Sequence, residues 1–317
     1  DSLDLEMSIF DPEDGNQKIL KVASIEQGFS KITFKYPVQD IQISALDFSS
    51  KTRWSMMDLS SGRDTLYYWN TSGKDSLRLR IQDKFYQFDD TVKVGTGKDK
   101  KPNALKLLTN VSGSYALDIG KDLEIWTSRP HIIQDPNRIK LYRKVDSTEY
   151  SLVKYDLNVD EKKVRVLSLN QAWEPGASYR LHIEKEAITD LFQGKNDSVT
   201  VDFSVREEEY YGAAIFDITF PEKDHHYIVQ LLNSSSNVRR EDLIKPSDLT
   251  EEGKKKIKYK HVKPGKHKLK VIYDSNNNGR WDTGDHKENR QPERISFSKD
   301  EILIRANWDL ELDFNLD

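Results

Sequence analysis

The sequence contains no cysteine, which excludes disulfides, thiolate metal sites and cysteine nucleophiles. Such a chain fits the cytosol and the periplasm equally, so redox chemistry does not place it. Long apolar runs are missing too: nothing approaches the roughly 20 residues that a membrane-crossing helix needs. Nor is there an excess of one charge. Forty-nine Lys and Arg stand against 53 Asp and Glu, for a net charge of −4. The long-range attraction that drives binding to nucleic acid is therefore not evident, and no nucleic-acid partner is expected. The start, Asp1-Ser2-Leu3-Asp4, has neither an initiator Met nor a signal-peptide pattern. It reads as the start of a processed or trimmed chain, with any signal peptide or lipid anchor lying upstream. Gly-x-Ser-x-Gly elbows, Gly-Lys-Ser/Thr phosphate loops, dinucleotide fingerprints and His-Glu-x-x-His pairs are also absent. A Ser/His/Asp triad is recognised by geometry and not by order in the chain, so a hydrolase stays among the alternatives.

What is present is a two-residue rhythm. Lys31-Ile32-Thr33-Phe34-Lys35-Tyr36 and Leu77-Arg78-Leu79-Arg80-Ile81 alternate apolar with polar side chains, as half-buried strands do. The same period returns in Ile257 to Lys260, His267 to Tyr273 and Trp308 to Phe314. Continuous helical periodicity is hard to find. Pro175-Gly176 and Pro264-Gly265 separate such runs and read as hairpin turns. At 317 residues the chain exceeds what one core usually organises. The polar stretch Val94 to Asn103 reads as a linker, and the acidic run Arg206-Glu207-Glu208-Glu209 marks a second shift. The expected organisation is all-β, with tandem Ig-like or transthyretin-like β-sandwich domains over residues 1–97, 98–206 and 207–317. Within the third, Ser234 to Lys256 reads as an exposed polar crossover, with a short helix after Pro246-Ser247-Asp248 as the alternative.

Two stretches are more specific than composition. Trp173-Glu174-Pro175-Gly176-Ala177-Ser178-Tyr179-Arg180-Leu181, then Ile188-Thr189-Asp190-Leu191-Phe192-Gln193-Gly194, to Phe203, resembles the bacterial Ig-like domain of the S-layer-protein type. A Pro-Gly turn feeds a strand, and a second turn built on Asp190 and Gly194 leads to the closing strand. The later run Pro264 to Asp274, Asn278-Gly279-Arg280-Trp281-Asp282-Thr283-Gly284, Arg290-Gln291-Pro292-Glu293 and Arg305-Ala306-Asn307-Trp308-Asp309 resembles the C-terminal region of Ig-like-domain lipoproteins of Bacteroidota. That resemblance covers the chain from about residue 105 onward. It implies a lipid-anchored protein of the periplasm or outer-membrane surface and carries no enzymatic motif. Asp-(Ser/Thr)-aliphatic triplets at Asp1, Asp64, Asp75, Asp90 and Asp197 resemble the O-glycan acceptor motif of secreted Bacteroidota proteins. The plain alternative is that Asp and Ser commonly begin strands.

Four constellations could carry chemistry. Asp274-Ser275-Asn276-Asn277-Asn278-Gly279-Arg280-Trp281-Asp282-Thr283-Gly284-Asp285 has the spacing of a calcium loop. Side chains of Asp274, Asn276 and Asn278, the Arg280 carbonyl, Asp282 and Asp285 would supply oxygen, and the few formal charges imply weak affinity. The competing reading is a turn whose Asn and Asp side chains cap their own backbone. Seven histidines, among them His131, His182, His226, His261 and His267, show no metal spacing, so no catalytic residue is assigned. Trp54 with Tyr67, Tyr68 and Trp69 could form a sugar-stacking surface, although neighbours on a strand face opposite sides. Trp126, Trp173 and Trp308 are expected in cores or at strand ends. Lastly, Lys258, Lys260, Lys268 and Lys270 oppose Asp309, Glu311 and Asp313. They would pair if their strands are neighbours and leave a basic docking stripe if they are not. The leading expectation is a non-enzymatic extracytoplasmic structural or protein-interaction component of the cell envelope. Its partners would be other envelope proteins or, as the alternative, surface glycans.

Overall fold

The computed structural model describes residues 16–95, 97, 105–160, 163–284 and 289–316. Regular structure there is all β apart from three single-turn 3-10 segments, at Pro136–Arg138, Glu208–Tyr210 and Pro246–Asp248. The chain divides into two compact units, Asp1–Val205 and Arg206–Asp317.

The first unit holds two cores. Around the first run β1 (Ile19–Glu26), β2 (Phe29–Phe34), β3 (Ile41–Ala45), β4 (Ser55–Leu59), β5 (Thr65–Asn70), β6 (Ser76–Asp83) and β7 (Phe88–Gly95). They form one sheet in the order β1-β2-β5-β4 and a facing sheet in the order β3-β6-β7. The rhythm of β6 shows why the layers stack: Leu77, Leu79 and Ile81 are buried while Arg78 and Arg80 are exposed. Successive Cβ atoms alternate across a sheet, so an alternating sequence has one dry face to hide.

The second core is built by β8 (Leu107–Thr109), β9 (Ala116–Leu117), β10 (Leu123–Thr127), β11 (His131–Ile133), β12 (Ile139–Lys144), β13 (Tyr150–Val153), β14 (Asp156–Val159), β15 (Val166–Asn170), β16 (Ser178–Ile183), β17 (Ile188–Asp190) and β18 (Val199–Val205). Its sheets run β14-β15-β10-β8 and β13-β12-β16-β18-β9, with β11 and β17 paired as a separate ribbon. Leu123, Ile125, Leu141, Leu167, Leu181 and Phe203 meet between them.

The second unit is a third sandwich, made of β19 (Gly212–Thr219), β20 (His226–Asn233), β21 (Val238–Ile244), β22 (Lys254–Val262), β23 (Gly265–Asp274), β24 (Ile295–Phe297), β25 (Ile302–Ile304) and β26 (Asp309–Asn315). One sheet is β22-β19-β26; the other is β21-β20-β23-β24, with β25 also on β23. Phe216, Phe220, Tyr227, Leu231, Leu269 and Val271 fill the space between.

Two sequence expectations change here. The Pro175-Gly176 and Pro264-Gly265 corners are not hairpins: β15 and β16, like β22 and β23, lie in opposite sheets. Each corner therefore carries the chain across its sandwich, which local turn chemistry does not reveal. Ser234 to Lys256 is not mainly a crossover loop, because it contains β21, paired to β20 from Tyr227↔Ile244 to Leu232↔Val238. Only Ile244 of that strand is fully buried, so its charged edge hides the alternation. The linker stretch Val94 to Asn103 falls largely outside the described residues.

Candidate functional site

The aromatic run of β5 is the place to begin, because its three rings separate. Tyr68 points into the first core, while Tyr67 and Trp69 point the other way. Strand alternation requires this split, but the outward rings do not face water. Trp69, Met56, Val164 and Leu191 are buried together, with Phe29, Tyr67 and Phe192 packed on them. Val164, Leu191 and Phe192 come from the second sandwich, so the outer face of the first sheet is covered by its neighbour within the unit. Phe29 stacks on Trp69 at 4.9 Å and 7°. Arg165 lies 4.8 Å over Tyr67 and bonds Asp58 at 2.8 Å. Trp54 is half-buried, edge-on to Phe48 at 4.7 Å. The four rings offered as a sugar platform thus do not share an exposed surface, since Tyr68 and Trp69 are buried.

The junction is positioned by one carboxylate. Asp190, 0% exposed, accepts the Phe192 and Gly194 amides on Oδ1 at 2.8 and 2.7 Å. Its Oδ2 accepts Arg129 Nε at 2.6 Å and the guanidinium Nη2 at 2.5 Å. This closes the turn at 190–194 and aims Leu191 and Phe192 at the first sandwich. Arg129, itself buried, also faces Glu26 at 3.6 Å. There is no room for a larger residue at Gly194, where a Cβ would stand 2.5 Å from Asp190 Oδ2. Across the junction, Gly28 has φ +70°, and a Cβ there would meet Asn70 O at 2.3 Å and Phe192 Cε1 at 2.5 Å. His131 sits opposite Asp190 in the β11–β17 pair. Burial, and next the positive charge of Arg53, pull its pKa down to about 4.

In the second unit the Asp274 loop is closed by its own amides. Asp274 Oδ1 accepts Asn278 N at 3.0 Å and Oδ2 accepts Gly279 N at 2.9 Å. Asn276 Oδ1 accepts Asn278 N at 3.1 Å, and Asn278 Oδ1 accepts Arg280 N at 3.0 Å. Both Asn side chains turn their amide nitrogens to Asp282 Oδ2, at 2.5 Å. Glu293, not singled out from the sequence, holds the loop base by accepting Ser275 N at 2.8 Å and Asp282 N at 3.0 Å. Asp274, Asn276, Asn278 and Asp282 are therefore brought together by self-capping of the kind Asx turns use. Asp285 lies outside the described residues, and among those described no cluster of three His, Asp or Glu has metal-binding geometry. Trp281 packs at the same base and donates Nε1–H to Glu293 O at 3.0 Å.

The remaining residues disperse. His182 bonds Thr200 Oγ1 at 2.8 Å, His261 bonds Glu208 at 2.5 Å, His267 bonds the Lys263 carbonyl at 3.0 Å, and His226 pairs with Asp274 in the β20–β23 register. His261 and His267 do not meet, because the corner between them changes sheets. Trp173 packs on the second core. The exposed tryptophans are Trp126 at 41%, within β10, and Trp308 at 59%, just before β26. Of the Asp-(Ser/Thr) triplets, Thr91 and Ser198 are exposed, Thr65 and Ser76 are half-buried, and Asp1-Ser2-Leu3 lies outside the described residues. The opposite charges of the last sandwich do meet, though not as adjacent strands. β22 and β26 flank β19, and lysine stems reach over it, Lys258 to Asp309 at 3.2 Å and Lys256 to Glu311 at 3.8 Å. Lys268 and Lys270 stand on β23, in the other sheet.

Neither a family model nor a curated protein matches the sequence. Among solved structures, a segment of native alpha-2-macroglobulin from Escherichia coli spanning domains MG0-NIE-MG1 is similar at 11% identity, over 82% of this chain and 94% of that one, with a TM-score of 0.25. The major pilin subunit BcpA of Bacillus cereus aligns at 10% identity over 87% and 93%, with a TM-score of 0.23. The I9–I11 tandem of titin aligns at 10% over 95% and 100%, with a TM-score of 0.18. At scores this low the fold class rests on this chain's own sheets, and nothing further is carried over.

Two outcomes follow for the junction. Asp190→Asn leaves the buried Arg129 charge to Glu26 at the longer distance of 3.6 Å, and breaking a buried pair from one side costs about 3–5 kcal/mol, of which Glu26 should recover a part. Chemical denaturation should show that loss, with the double variant Arg129→Met, Asp190→Leu less destabilised than the sum of its single changes. A pH series checks His131. Its folded pKa of about 4 lies below the ordinary 6.5, so the unfolded chain takes up a proton that the folded chain refuses. Stability from this group is complete above pH 6.5 and falls as pH drops toward 4, by on the order of 3 kcal/mol. His131→Leu should flatten that part of the profile.

Proposed function

We propose that this chain is a non-enzymatic structural and protein-interaction component of the cell envelope, extracytoplasmic and part of a lipid-anchored protein at the periplasmic or outer-membrane surface. The observation that carries the reading is how its buried acids are used. Asp83 takes the Gln39, Asp40 and Phe85 amides, Asp190 takes two amides and Arg129, and Asp274 takes two amides. Each serves the fold, Asp190 and Asp274 by closing a turn and Asp83 by also tying the segment before β3 to the end of β6, where a catalytic carboxylate needs a free face toward substrate. The junction built on Trp69 and Leu191 supports a stiff spacer, since two sandwiches sharing a buried cluster and an ion pair resist bending more than sandwiches on a linker. Among the described residues no helix is long and apolar enough to cross a membrane. The envelope assignment itself draws on the lipoprotein resemblance of residues 264–309.

A weak calcium site in the Asp274 loop belongs to the same proposal. What supports it is the gathering of the four side chains Asp274, Asn276, Asn278 and Asp282, where the Asn276 and Asn278 amides turn oxygen toward Asp282 by rotating and giving up their bonds to Asn278 N and Arg280 N.

Cross-linking in intact envelopes, followed by isolation of this chain, should recover a partner in stoichiometric amount. Recovery of the chain alone, together with turnover of ester, peptide or glycoside substrates by the pure protein, would overturn the reading. For the loop, calorimetry with calcium should give a saturable signal that Asp282→Ala removes, and no heat at millimolar metal retires the site.

A further inference from the structure

The third sandwich is closed along one side and open along the other. On the closed side Arg240 of β21 donates to the carbonyls of Lys260 and His261, at 3.1 and 3.0 Å, and ties β21 to the end of β22. On the open side β26 pairs only with β19 among the described residues. The facing sheet continues there as β24 and β25. Between them runs a groove of about 890 Å³, lined by Leu310, Leu312 and Phe314 of β26, by Phe297 and Leu303, and by the core residue Phe216. Phe297 and Leu303 border it, but their side chains leave on the outer face of their sheet, since Ile302 and Ile304 on either side of Leu303 turn into the core; the apolar residues of β26 are only half-buried. One sheet has three strands where the other has more, and the groove lies where a fourth would run.

The backbone of β26 is turned to receive one. Ala213 N donates to Trp308 O, and Leu316 N donates to Thr219 O. In a parallel ladder the residues facing the neighbour alternate, so Trp308, Leu310, Leu312, Phe314 and Leu316 address β19. The N–H and C=O groups of Asp309, Glu311, Asp313 and Asn315 therefore point away from it, along the free edge. That edge runs for seven residues without proline, lysine or bulge; the guard it does carry is the acidic row Asp309, Glu311 and Asp313, which repels acidic strands and not basic ones.

Charge decides what would pair. A strand beside β26 sets one face of its side chains into the groove and the other beside Asp313, Asp309 and Glu311. The last two are held from across β19 by the exposed ion pairs to Lys258 and Lys256, which are weak enough for a partner's cations to compete with. Asp313 already stands next to Asp217 in the β19–β26 ladder. A second copy offering its own β26 would oppose acid to acid. Its β22 carries lysines, but Ile257 and Tyr259 are buried in their own core and cannot enter the groove. We propose that β26 is a β-augmentation site for an extended segment of a partner protein, about seven residues long, in which apolar side chains alternate with Lys or Arg. This rests on the interaction reading for the existence of a partner, while the edge and the groove stand without it.

The test uses the isolated full chain, labelled for amide NMR, and the synthetic peptide Lys-Val-Arg-Val-Lys-Ile-Lys with both ends blocked. Saturable shifts should concentrate on residues 309–315 and on Phe297 and Leu303. Replacing every Lys and Arg of the peptide by Glu should weaken binding at least tenfold. Glu311→Pro removes one outward N–H and leaves the bonds to β19 in place, as proline permits on an edge, and it should weaken binding at least tenfold with an unchanged thermal midpoint. Should that variant fold poorly, the double change Asp309→Lys, Asp313→Lys, at exposed positions of the same edge, makes the same comparison. Shifts scattered away from β26, equal binding of the acidic peptide, or a folded variant that binds as well as the parent overturns the proposal. So does concentration-dependent self-association in sedimentation that Glu311→Pro abolishes, because the edge would then belong to a second copy. None of these results depends on a partner being recovered from envelopes, so the two readings fail separately.

Discussion

A carboxylate removed from water must have all its needs met within the fold, and at Asp190 that demand organises the first unit. Two amides and a guanidinium satisfy it. To supply them the chain must turn tightly through Gly194, and Arg129 must be held at the end of β10. Leu191 and Phe192 follow from the turn, and they are the side chains that reach Trp69 and Gly28. Desolvating this ion pair is expensive unless its geometry is complete, so the pair contributes less through raw attraction than by allowing one arrangement and penalising others. The hydrophobic cluster beside it supplies the favourable term.

This explains which parts could be read from the sequence. The alternation in β6, β22 and β23 was visible because the period of a strand is a local property, and the side that is dry follows from it. The turn through Asp190 and Gly194 was equally legible, since its chemistry lies within five residues. Its counter-charge was not: Arg129 stands 61 residues away, and many arginines compete for that part. Tyr67, Tyr68 and Trp69 were correctly separated onto two faces. What covers the second face is a neighbouring sandwich, and no local pattern announces it. The Pro-Gly corners failed for a related reason, because a turn motif specifies how the chain bends and leaves open which sheet the next strand joins. β21 escaped notice because an edge strand needs few apolar residues. Glu293 is 18 residues from the Ser275 amide it accepts, and the run Arg290 to Glu293 that contains it carries a family resemblance without indicating that contact.

The same physics treats the second unit differently. There the buried acid Asp274 serves only its own loop, and the sandwich is left with one seam unfilled. Half-buried Leu310, Leu312 and Phe314 along an edge retain apolar surface that another strand could cover. The two units thus differ at these places: in the first, the Trp69 face of one sheet is covered by the second sandwich; in the second, the β26 edge pairs only with β19 among the described residues.

The Asp190 turn and the Trp69 cluster make the first two sandwiches one cooperative body. Native-state hydrogen exchange on the full chain, with and without Arg165→Ala at the junction, measures this directly. The Asn70 amide in the first sandwich and the Gly194 amide in the second should open with the same free energy and fall together in the variant. Unequal opening energies, with only one of the two amides responding, would mean that the two sandwiches unfold independently.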